Sequence, residues 1–239
     1  MSSLTSDLLI NPQDLFDVSS NSFNESTQLG GKATTGDGRN FRYVLAGAAA
    51  LVPGKLQQAS AEVTGNQNLA VAAAAIGDNS ITTTSTVTVT ENQLAGGYVS
   101  VSVTPGVGYT YKIAGHAAAT GAVVTLNLED PIIVALTTSS RVDLLASPYR
   151  SVVVNPATAS SAPVGVAVAA TPAAYYGWVQ TTGAATVLAD GTVVVGTSVC
   201  ASNGTAGAVE ATAGVQALVG TALSGIATTE YGAINLNLG

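Results

Sequence analysis

Only 9% of the 239 residues are Asp, Glu, Lys or Arg, against roughly 25% in an ordinary soluble domain. Charge keeps chains apart and blunts exposed strand edges. A strand-rich chain with so little of it is expected to cover its edges by packing against its own copies or against a larger structure. Cysteine occurs once, at Cys200, which excludes an intrachain disulfide and a multi-thiolate zinc site. Lying among valines, that residue reads as a small core hydrophobe. His116 is the sole imidazole, unaccompanied by a Gly-x-Ser-x-Gly elbow or a His-Glu-x-x-His pair, and is expected in a turn after a strand at 109–113. Glu129 and Asp130 are the only adjacent acids. Neighbours in a strand face opposite ways, which is wrong for a glycosidase carboxylate pair. Asp37 and Asp78 sit in turn-like contexts without the spacing of a calcium loop. The expectation is a protein that is no enzyme, with no metal and no cofactor.

Seven basic residues against fourteen acidic ones give a net charge of −7. Scattered from Lys32 to Arg150, the basic residues form no patch, so a nucleic-acid partner is not expected. The apolar stretch 70–76 is far shorter than the ~20 residues of a membrane helix. The first residues carry no basic segment followed by an apolar one, so no membrane partner or secretory route is expected.

What the chain does contain is β-branched residues and turns. Residues 1–40 read as an arm, with Leu4, Leu8, Leu9, Leu15 and Phe16 set among polar residues and followed by a Ser-, Asn- and Gly-rich stretch. Strands are predicted at 41–45 and 55–58 around Pro53 and Gly54, then at 81–90, 98–103, 109–113, 123–128 and 132–136. A hairpin is predicted from 185–189 to 192–195, turning at Asp190 and Gly191 as a type I′ turn. Residues 91–95 read as one helical turn. Strands at this spacing without helix-length periodicity indicate an all-β barrel or sandwich. The organisation expected is an arm at 1–40, a β-body formed by 41–60 with 151–239, and an inserted or second β-subdomain at 61–150.

One internal echo is visible. Val164, Gly165 and Ala167 followed by Tyr176, Gly177 and Val179 recur 55 residues later as Val219, Gly220 and Ala222 followed by Tyr231, Gly232 and Ile234, implying two related strand pairs. Tyr175, Tyr176 and Trp178 form the densest aromatic cluster. It reads as a core or interface stripe, or alternatively as a platform for a sugar ring.

Phe41, Arg42 and Tyr43, the run 51–56 (LVPGKL), the strand 108–113 (GYTYKI), and 187–192 (VLADGT) with 219–223 (VGTAL) resemble structural proteins of tailed-bacteriophage virions. The C-terminal part, 175–238, is similar to head decoration, or cement, proteins. This resemblance implies a non-enzymatic β-rich body on the outer capsid surface, assembled as a homotrimer with the major capsid protein as partner. The apolar arm residues Leu4, Leu8, Leu9, Leu15 and Phe16 are then the expected capsid-docking set. A tail or fibre component and a carbohydrate-binding adhesin module are the alternatives.

Overall fold

The computed structural model describes residues 8–9, 14–16, 28–85, 87–120, 122–214 and 216–239. Leu4 and most of the expected arm lie outside them. The fold is all-β, and its only helical element among the described residues is a single 3-10 turn at Thr64–Asn66. The chain divides into two compact units, Met1–Ala61 with Pro148–Gly239, and Glu62–Ser147.

The first unit begins with β1 (Leu8–Leu9), β2 (Lys32–Thr34), β3 (Asn40–Leu45) and β4 (Leu56–Gln58). The second unit holds β5 (Leu69–Ala70), β6 (Ser80–Ser85), β7 (Tyr98–Val103), β8 (Thr110–His116), β9 (Ala122–Leu128) and β10 (Arg141–Leu145). The first unit then resumes with β11 (Val153–Val154), β12 (Pro163–Ala167), β13 (Tyr176–Leu188), β14 (Ser198–Ala201), β15 (Val209–Ala211), β16 (Leu218–Ala222) and β17 (Tyr231–Asn237).

In the second unit six strands run in the order β5, β10, β7, β8, β9, β6, and a bridge between Val71 and Thr83 brings the two ends together. Alternation explains the interior. Val99 and Val101 of β7, Tyr111 and Ile113 of β8, and Val124, Leu126 and Leu128 of β9 recur every second residue and share one buried core.

The first unit is an eleven-stranded sheet that curls into two rings joined through β13. One ring comprises β3, the first half of β13, β12, β4 and β11, and a parallel bridge from Ala46 to Val152 closes it. The other comprises the second half of β13, then β17, β16, β14 and β15, closed by a parallel bridge from Ala189 to Val209. The two rings match residue by residue. Ala167 pairs with Val179 and Ala222 with Ile234, while Tyr176 pairs with Leu45 and Tyr231 with Leu188. The eight buried residues of the first core, Val44, Ala46, Leu51, Ala59, Val152, Val164, Ala167 and Val179, correspond in order to Val187, Ala189, Val193, Ala201, Val209, Val219, Ala222 and Ile234 in the second. Even the backbone exceptions are copied, since Ala174 and Thr229 both hold positive φ, at 60° and 67°. The 55-residue echo is therefore part of a duplication that also includes Val44, Leu45 and Ala46 against Val187, Leu188 and Ala189.

Several strand expectations are corrected. Asp190 and Gly191 do not close a hairpin: Ala185 and Val187 pair with Ile234 and Gly232 of β17, and only Gly191 of the two turn residues has positive φ, whereas a type I′ turn needs both. Asp190 instead accepts a hydrogen bond from the Ser202 hydroxyl (2.6 Å), and its amide donates to the Val209 carbonyl. The strand predicted at 81–90 ends at Ser85. Residues 132–136 form bends with one bridge, Leu136 to Ala74. Residues 91–95 form hydrogen-bonded turns and no helix.

Candidate interaction surface

A glycine turn of one kind recurs seven times among the described residues, at 28–31, 52–55, 75–78, 94–97, 106–109, 194–197 and 205–208, and three of these bear on the surface. At residues 52–55, 194–197 and 75–78 the last amide donates to the first carbonyl, from Lys55 to Val52, Thr197 to Val194 and Asp78 to Ala75 (3.1, 3.1 and 3.2 Å). The third residue is a glycine with positive φ each time: Gly54 at 71°, Gly196 at 81° and Gly77 at 94°. That is the signature of a type II turn. Each glycine amide also donates across to a neighbouring segment, at Ala167, Ala222 and Ile132 (2.9, 2.9 and 2.8 Å). The second unit thus carries the same turn and cross-bond as the two rings.

The second residue of such a turn points outward and is commonly polar or proline. Here it is Pro53, Val195 and Ile76. Val194 and Val195 are each 62% exposed, and Leu223, directly after the residue that bonds Gly196, is exposed as well. In the first ring the glycine of the corresponding turn is crowded, since a Cβ on Gly54 would lie 2.8 Å from the Tyr231 ring, while Val52 and Pro53 beside it are exposed. Around Gly196 nothing lies within 4 Å. The turn of the second ring is thus open around its glycine, and the exposed side chains beside it, Val194, Val195 and Leu223, are apolar.

The sequence-derived candidates fall in several places. Leu8 and Leu9 pair in parallel with Ala33 and Thr34. Leu15 is 1% exposed and packs with Ala33, Phe41, Tyr43 and Trp178 on the outer face of the first ring, so its apolar surface is already engaged within the chain. Phe16 beside it is 58% exposed. Trp178 is 6% exposed; the Tyr43 ring stacks on Tyr176 (5.6 Å, 11°) and meets Trp178 at 5.1 Å. Tyr43 thus covers one face of Tyr176 and part of Trp178, while Tyr175 and Tyr176 stay half-buried.

His116 is a correction. It is the last residue of β8 and buried, its Nε2 accepts the Leu94 amide (2.9 Å), and Nδ1 contacts the Ala117 carbonyl (2.8 Å). Accepting at Nε2 requires the proton on Nδ1, so the ring is a neutral brace between β8 and the 91–96 turns. Cys200 is buried on β14 as expected. Burial, and secondarily the Glu210 carboxylate, push its thiol up. Glu129 pairs with Lys112 (2.9 Å) at an exposed position. Asp37 is held below the usual carboxylate range first by the Thr35 hydroxyl and also by Arg39, whose Nε donates to it at 2.8 Å. No cluster of three His, Cys, Asp or Glu suited to a metal ion occurs among the described residues, and no described helix is long and apolar enough to cross a membrane. Comparison of the chain with protein-family models, curated proteins and solved structures finds no match.

Sequence reasoning missed the exposed valines because Val193, Val194 and Val195 look like a strand. Their equivalence to the turn at 52–55 was the available signal.

Proposed function

We propose that the chain is a non-enzymatic structural protein of a bacteriophage virion, a decoration protein that binds the outer capsid surface and stabilises the shell as a homotrimer. The reading rests on the resemblance of its strand and turn motifs to cement proteins. The observation that carries its attachment is the open turn of the second ring. Val194, Val195 and Leu223 form an apolar contact surface on a chain with few charges, and exposed apolar groups gathered at one place favour protein contacts. Repetition of weak contacts around a symmetric shell supplies collective stability that no single contact holds. Of the two arm residues whose burial is described, Leu15 and Phe16, Phe16 keeps apolar surface available to a partner.

The test is co-sedimentation with undecorated capsids, alongside light scattering of the free protein. Burying each Val contributes about 1.5–3 kcal/mol, so Val195→Lys is expected to weaken attachment by at least tenfold while the melting temperature stays close to that of the parent. Undiminished attachment of Val195→Lys removes this face from the contact. Failure of the parent chain to bind any capsid, together with a monomeric state, removes the decoration reading itself.

A further inference from the structure

The duplication makes one edge of the second ring conspicuous. In the first ring the outer edge of β3 is paired, with Lys32, Ala33 and Thr34 of β2 standing opposite Arg42, Phe41 and Asn40. By the register that equates the rings, the corresponding edge is Gly183, Ala184 and Ala185 of β13, continuing to Thr186. There β17 is the only ladder partner among the described residues.

Backbone groups of an antiparallel strand point alternately to its two sides. The Leu188 amide donates to the Gly54 carbonyl and the Ala184 carbonyl accepts from the Gln180 side-chain amide (2.9 Å each). Residues 184, 186 and 188 therefore address the side away from β17. Gly54 and Gln180 satisfy two of those groups. Among the described residues the amides of Ala184 and Thr186 and the carbonyls of Thr186 and Leu188 remain, and the three on Ala184 and Thr186 front a cleft of about 420 Å3. Its walls include Phe16, Pro53, Val168 and Tyr231, of which Phe16 is 58% and Tyr231 49% exposed. Arg39, the charged residue at the rim, is already paired with Asp37.

We propose that this edge accepts an extended peptide segment of a partner polypeptide as an added strand, in the position that β2 holds on β3. Three free backbone groups give the hydrogen-bond ladder that strand addition uses for affinity, and the apolar walls receive alternate side chains. The edge is short, about 10 Å at the rise of a strand, and flanked by the Pro53 turn and the Tyr231 ring. It suits a single strand better than the broad edge of another sheet. The chemistry called for is a neutral segment with an apolar residue at every second position. This inference is independent of capsid binding.

The experiment sorts a yeast-displayed library of random nonapeptides against the full chain, then follows the best peptide by amide hydrogen exchange and NMR titration. Expected are slowed exchange and shifted resonances at Ala184, Ala185 and Thr186. Binding should weaken about tenfold or more when alternate peptide amides are N-methylated, since each lost hydrogen bond in a desolvated site costs on the order of 1–3 kcal/mol. Two exposed-site variants, Thr186→Arg and Tyr231→Ala, should each lower affinity while keeping the native fold by NMR. The proposal is overturned by any of three results: no peptide enriched over the Thr186→Arg control, binding indifferent to N-methylation, or edge amides already slow in the free chain, which would mean that another part of this protein covers them.

Discussion

Two glycines show how one residue type carries different loads at equivalent places. Gly54 and Gly196 both hold positive φ in the same turn, so replacing either by Ala forces a Cβ into a conformation that costs roughly 1–2 kcal/mol. At Gly196 that is the whole cost, because the space around it is open. At Gly54 the new atom would lie 2.8 Å from the Tyr231 ring, and the ring must move. Urea unfolding is expected to show Gly54→Ala losing clearly more stability than Gly196→Ala; equal losses would mean that the Tyr231 contact is soft. Cys200 gives a second residue-scale prediction. Its thiol ionises at a higher pH in the fold than in the unfolded chain, because burial penalises the thiolate. The folded state therefore keeps a proton that the unfolded state loses. Stability falls as pH rises past the unfolded thiol value of about 8.5. Cys200→Ala should flatten that alkaline decline, seen as a smaller drop in melting temperature between neutral pH and pH 10.

At the scale of elements, the loop 202–208 and the entire segment 60–151 occupy equivalent positions, each leading from Ala59, just past β4, or Ala201, at the end of β14, to the bridge at Val152 or Val209. The second ring closes its junction with seven residues. Replacing 60–151 by the sequence of 202–208 is expected to leave a first unit that folds and melts cooperatively, checked by circular dichroism and NMR; a collapsed or aggregated product would show that the first ring depends on the second unit. The same elements explain what could be read in advance. Strands at Tyr98–Val103 and Ala122–Leu128 were legible because one face of each is buried and the alternation is clean. The echo from Val164 to Ile234 was legible because its two copies share one offset. The other half of the duplication was hidden. The insertion moves Val44 to 143 residues from Val187, while Val164 stays 55 from Val219, so no single period covers both. Asp190 and Gly191 misled for a related reason: local turn chemistry suited a hairpin, but the matching ring geometry pairs β13 with β17 and carries the chain across to β15. The apolar turn face was not legible locally either, since exposed and buried valines carry the same letter.

For the molecule as a whole, β13 sets the mechanical character of the first unit. Its thirteen residues run from Tyr176 to Leu188 as one strand, with a register shift between Gln180 and Thr182 and a positive φ at Gly183 where the rings join, giving the first half to one ring and the second half to the other, so no linker separates the duplicated parts. Tension reaching one ring passes along the strand into the other. It is resisted there by the whole ladder to β17 loaded in shear, rather than by hydrogen bonds parting one at a time. Neither ring can lose its share of the strand without opening its neighbour, which makes the pair a single load-bearing element.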